Sequence, residues 1–151
     1  MLTLTRLIAA FLLMGFAIWA AAPYDALYDP ERNLQGLSRL LGTMGFCVGW
    51  AFLGGASKAA WRSAYLGLQA VALTGILAAV VTAIRDIFAM GFRRRFAEPL
   101  DAVLAIPEIT FEYISVTFEP WFIGTLAGGG VVIGLLVHVI DRLLDRRRLA
   151  R

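Results

Sequence analysis

The sequence predicts an all-α, polytopic membrane protein built as one domain over residues 1–151. Three observations predict it. Residues counted as hydrophobic make up 60 % of the chain, against about 45–50 % for a soluble domain. The mean hydropathy is +0.74. Four apolar runs, at 7–22, 37–56, 64–84 and 121–140, are punctuated by charge. About 20 apolar residues cross the hydrocarbon core of a bilayer. A soluble all-helical protein would instead show striped helices with a charged face.

The runs define four expected spans, near 4–22, 37–56, 64–88 and 121–141, and an acidic segment at 98–119 between the last two. The first span is expected to stop near Ala22, because Pro23 lacks the N–H that a helix interior needs. Ala20-Ala21-Ala22 is also a small-residue cleavage pattern. Pro23 after the cut disfavours cleavage, so a retained span is expected. The connection 23–36 is polar, with Tyr24, Leu27 and Tyr28 suited to the headgroup level.

In the second span Gly45 and Gly49 stand four apart on one helix face, where small residues let helices approach closely. Cys47, the single cysteine, is expected to be a small buried residue, and alone it forms no intrachain disulfide. The helical pattern of the third span runs past Ile84 through Arg85 and Asp86 toward Phe92. Those two charges are adjacent, so they project differently and have different partners. The fourth span carries two G-x-x-x-G pairs, Gly124/Gly128 and Gly130/Gly134. They serve either oligomerisation or packing between spans of one chain.

Arg142, Arg146, Arg147, Arg148 and Arg151 crowd the last ten residues. Basic residues beside short spans stay inside, so the C-terminus is expected in the cytoplasm. The tail lacks aromatic interleaving, so no nucleic-acid partner is expected.

The acidic segment holds the candidate functional residues. Arg93, Arg94 and Arg95 precede it, and Asp101, Glu108, Glu112 and Glu119 fall on one helical seam within an arc of about 40°. Pro107 predicts two short helical pieces, with the proline in the first turn of the second. Three readings remain open: a flat interfacial helix with its acids toward water; a re-entrant or crossing segment whose acids face Arg85 and Arg93–Arg95; or a proton or cation path lined by Asp101, Glu108 and Glu112. A flat segment leaves four spans and both termini inside. A crossing segment makes five spans, with the N-terminus outside.

Together these stretches resemble the tellurium-resistance protein TrgA family of small alphaproteobacterial membrane proteins. The resemblance lies in Thr3 with Arg6–Ala10, in Gly45–Trp50, in Arg93-Arg94-Arg95-Phe96, in Glu98–Ala102, and in Pro107–Tyr113 running into Glu119-Pro120 and the glycine-rich last span. It covers most of the chain except 23–39. It implies a multi-pass protein of the bacterial inner membrane associated with tellurite tolerance. It implies no catalytic residues. The alternative is a proton- or cation-linked transport or channel subunit lined by the acidic segment.

Redox and metal chemistry find little to build on. One histidine, His138, excludes bis-histidine haem within one chain, and one cysteine excludes an iron–sulfur cluster. His138, Asp141 and Asp145 share a helical face, but a zinc set would want a second histidine. There is no Walker loop, dinucleotide fingerprint or nucleophile elbow. The sequence therefore predicts no cofactor, no metal and no enzymatic activity. Its expected partners are the lipid bilayer and either further copies of itself or a larger membrane complex.

Overall fold

A computed structural model describes residues 4–28, 36–53, 59–92 and 99–149. At 28, 89–92, 99–102 and 146–149 it describes the backbone alone. Arg93–Arg95, Glu98 and Lys58 lie outside the described residues, as does the side chain of Asp101.

Five α-helices follow in order: α1 (Leu4–Tyr28), α2 (Leu37–Val48), α3 (Ala60–Phe92), α4 (Pro99–Ser115) and α5 (Pro120–Leu149). A π turn, Gly49–Leu53, continues α2, and a 3₁₀ turn, Val116–Phe118, follows α4. Three helices are long and apolar enough to cross a membrane: Leu4–Leu27, Ala60–Phe88 and Pro120–Asp145. The expectation of four full spans is corrected here. The second apolar run forms 12 residues of α-helix and a five-residue π turn, about 25 Å at 1.5 Å per residue. The hydrocarbon core is about 30 Å thick.

The helices close into a ring, with α1 on α2, α2 on α3, α3 on α5 and α5 on α1. Side-chain pairs set the directions. Thr5 meets Asp141 and Tyr24 meets Phe122, so α1 and α5 are antiparallel. Gly42 faces Ile18 and Gly49 faces Ala10, so α2 runs back along α1. The chain thus returns through α2 before α3 begins, and α3 lies parallel to α1.

Glycine decides how close these helices come. A Cβ on Gly67 would collide with the carbonyl oxygen of Gly130 and lie 2.8 Å from the Gly134 nitrogen. A Cβ on Gly134 would collide with the Ser63 carbonyl oxygen. Here α3 and α5 meet backbone to backbone. On α2, a Cβ at Gly45 would lie 3.0 Å from Leu13 O, and one at Gly49 2.8 Å from Ala10 Cα. The core formed around these crossings includes Ala9, Leu13, Val48, Ala70, Ile133 and Val137.

The antiparallel register set by Ser63–Gly134 and Gly67–Gly130 continues to Asp86–Tyr113. Thus α5 and then α4 lie end to end along α3, and α4 covers its C-terminal third. Glu119 separates them with an extended ψ of 124°. Its carbonyl oxygen accepts from the N–H groups of Phe122 at 2.9 Å and Ile123 at 3.0 Å, and Pro120 occupies the first helical position, which suits proline.

Three local expectations are corrected. Helix α1 runs through Pro23 to Tyr28, because Tyr24 is anchored: its hydroxyl donates to Tyr113 O at 2.8 Å. Helix α4 is continuous through Pro107, where the exposed ring removes one hydrogen bond without ending the helix. Cys47 is exposed, because the glycines two positions either side turn toward α1. The extension of α3 to Phe92 agrees with the sequence pattern.

Apolar surface turns outward as well as inward. Only 33, 39 and 28 % of the three candidate spans is buried, and Phe11, Trp19, Ile76 and Leu136 are exposed. Large apolar side chains exposed in such number on candidate spans mark a bilayer-facing or protein-facing exterior.

The crossing yields a prediction. Gly67→Ala should destabilise the detergent-solubilised protein by about 2 kcal/mol or more, since the backbone it meets has no room to yield. Gly124→Ala and Gly128→Ala have nothing within 4 Å and should be neutral or stabilising by up to ~1 kcal/mol. Thermal unfolding in one detergent compares them.

Candidate functional site

Polar groups within an apolar bundle need partners, and the densest described set sits where α1, α3 and α4 meet. The Tyr113 hydroxyl donates to Asp86 Oδ2. The Tyr24 hydroxyl donates to the Tyr113 carbonyl oxygen. Tyr113 is 3 % exposed, and it packs with Ala79, Ala83, Ile109 and Ile114. This anchors α4, because the buried Tyr113 is tied both to α3 through its hydroxyl and to α1 through its carbonyl.

Below this cluster lies a cavity of about 340 Å³. Its walls come from α1 (Ala20, Tyr24), α2 (Leu37, Leu41), α3 (Leu68 to Thr82), α5 (Phe122 to Ala127) and the end of the acidic segment (Ile114, Phe118). Nearly all of the lining is apolar. The cavity is partly open, and its lining residues Leu68, Ile76, Phe118 and Ile123 are exposed.

The sequence-predicted residues lie elsewhere. Glu108, Glu112 and Glu119 are exposed, and none of them lines the cavity. Arg85 is exposed on α3, with its Nη1 3.7 Å from where a Cβ on Gly36 would stand. Gly36 itself holds φ at +96° at the start of α2, a conformation that favours glycine. Arg85 thus extends toward Gly36, whereas Asp86 faces Tyr113. Arg93–Arg95 are outside the described residues, and Asp101 is described only as part of the α4 backbone.

Of the glycines, Gly45 and Gly49 seat α2 on α1, and Gly130 and Gly134 seat α5 on α3. Gly124 and Gly128 face open space, so the oligomerisation reading narrows to that pair. At the opposite end of the bundle, the Thr5 hydroxyl donates to Asp141 Oδ1 at 3.0 Å, His138 is buried and Asp145 is exposed. Among the described residues no group of three His, Cys, Asp or Glu side chains is placed to hold a metal.

Sequence reasoning missed the Tyr24–Tyr113–Asp86 chain. Its signal was present, since Asp86 interrupts an apolar helix, but its partner Tyr113 is 27 residues away on another helix, and Tyr113 is 89 residues from Tyr24.

No family model matches this chain, and no curated protein or solved structure matches it either.

Removing the Tyr113 hydroxyl leaves a half-buried carboxylate short of a donor, which costs ~1–3 kcal/mol. Tyr113→Phe should therefore lower thermal stability in detergent, and adding Asp86→Leu should restore part of the loss. Strict additivity of the two changes would show that the hydroxyl and carboxylate do not interact.

Proposed function

We propose that this chain is a non-enzymatic, multi-pass protein of the bacterial inner membrane that acts in tellurite tolerance. One observation supports its place in the membrane above all. Three helices long and apolar enough to span leave most residues of their apolar stretches exposed or only partly buried, and hydrocarbon covers such a surface without penalty. In this reading α2 is the return limb between two parallel spans, and a limb shorter than the hydrocarbon core crosses by local thinning of the bilayer. The N- and C-terminal helix ends joined by Thr5 and Asp141 lie on the cytoplasmic side, where Arg142 and the basic tail favour them.

The tolerance role is supported by the resemblance of the Arg93–Arg95 triplet and the Pro107–Tyr113 stretch to the tellurium-resistance family. The absence of catalysis is supported by the meagre set of reactive groups, one histidine and one cysteine. The transport alternative has less behind it, because the cavity includes neither Glu108 nor Glu112 in its lining.

The chain should remain in the membrane pellet after alkaline carbonate extraction. Reporter fusions after Arg95 and after Glu119 should report the same side, because α4 doubles back along α3 instead of making a separate crossing. Opposite signals would refute that topology. Replacing Arg93–Arg95 with glutamine should leave insertion intact and abolish tellurite tolerance in a growth assay. Full tolerance in that variant would remove the triplet from the function. Proteoliposome flux that falls on Glu108→Gln and Glu112→Gln would favour the transport alternative.

A further inference from the structure

The cavity beneath Tyr113 goes beyond this functional reading, although it rests on the chain being in a membrane. Close-packed protein interiors leave few voids larger than a water molecule. A space of about 340 Å³ lies instead in the range of ligand sites, about 300–1,000 Å³. Its α3 and α5 walls belong to the two stretches, Ala60–Phe88 and Pro120–Asp145, that are long and apolar enough to span. Where these walls are exposed, as at Leu68, Ile76 and Ile123, they face lipid tails.

The chemistry of the walls selects the ligand. Four lining side chains bear hydroxyls, and each already donates within the chain. Thr82 donates to Ala78 O and Thr117 to Ile114 O. Tyr24 donates to Tyr113 O, and Tyr113 donates to Asp86. A ligand with a polar ring would enter without donors aimed at it and lose its hydrogen bonds to water. A hydrocarbon chain loses nothing. Water is also a poor occupant, since it needs two to four polar partners.

Charge beside one end of the cavity narrows the choice further. Leu37 lines the cavity, and its neighbour Gly36 is the residue that Arg85 approaches. The exposed guanidinium thus stands at the end of the cavity where the first turn of α2 begins. We propose that the cavity holds one acyl chain of an anionic bilayer phospholipid, with its headgroup phosphate against Arg85.

Two glycines make the test clean. Gly75 lines the cavity, Gly124 does not, and a side chain at either meets nothing within 4 Å of its Cβ. The full chain is reconstituted into nanodiscs of mixed phosphatidylglycerol and phosphatidylcholine, released into mild detergent and weighed by native mass spectrometry. The wild type should retain a phosphatidylglycerol adduct. Gly75→Leu should reduce it by about tenfold or more, and Gly124→Leu should keep it. Arg85→Gln should retain phospholipid but lose the preference for phosphatidylglycerol.

Where Gly75→Leu does not fold, Ala72→Leu fills the same wall and carries the same expectation. A wild type without an adduct, equal retention in the filled variants, or retention of a quinone in place of phospholipid overturns the proposal. An unchanged phosphatidylglycerol preference in Arg85→Gln overturns the headgroup contact. A chain that resists carbonate extraction yet retains no lipid refutes this site alone and leaves the membrane assignment standing.

Discussion

The backbone contact of α3 with α5 at Gly67, Gly130 and Gly134 is the constraint on which the remaining geometry depends. In a bilayer, lipid tails are as apolar as leucine, so burying leucine against leucine drives little association. What remains is dispersion between closely fitted surfaces, and that strengthens as backbones approach. The three glycines remove the side chains that would hold the helices apart. The register they set then propagates. It carries α5 to its start at Pro120 and lays α4 along the rest of α3, where Tyr113 meets Asp86.

That meeting makes an acid tolerable in an otherwise apolar stretch. A carboxylate in such surroundings needs donors, and Tyr113 supplies one from a different helix. The arrangement also uses up the polarity of the region. Tyr24, Thr82, Tyr113 and Thr117 all turn their hydroxyl protons into the chain, and the space between them is left apolar. A polar cluster and a hydrocarbon-like cavity thus lie side by side without conflict.

Particular elements show what sequence patterning reaches and where it stops. The apolar runs placed all four bundle helices, and the continuation of the third run predicted the length of α3. The glycine spacing identified four residues that do pack helix on helix. The prolines misled. Pro23 and Pro107 each remove one hydrogen bond, a local effect, whereas Tyr24 and Tyr113 add tertiary anchors just beyond them. The acidic seam was legible as a seam, and Glu108 and Glu112 lie exposed on α4. The pairing of Asp86 was not legible, because nothing local links it to Tyr113.

Composition and periodicity by themselves determined that this chain is helical and suited to lipid, and where its apolar runs lie. These properties are sums over nearby residues, and a linear reading captures them. Tertiary structure alone decided that α2 is a short return limb, that Gly124 and Gly128 stay open, that Asp86 pairs with Tyr113, and that a cavity lies beneath them. Each of these depends on the relative registers of separate helices. Those registers follow from where backbones fit most closely, a property of paired surfaces that no single segment carries.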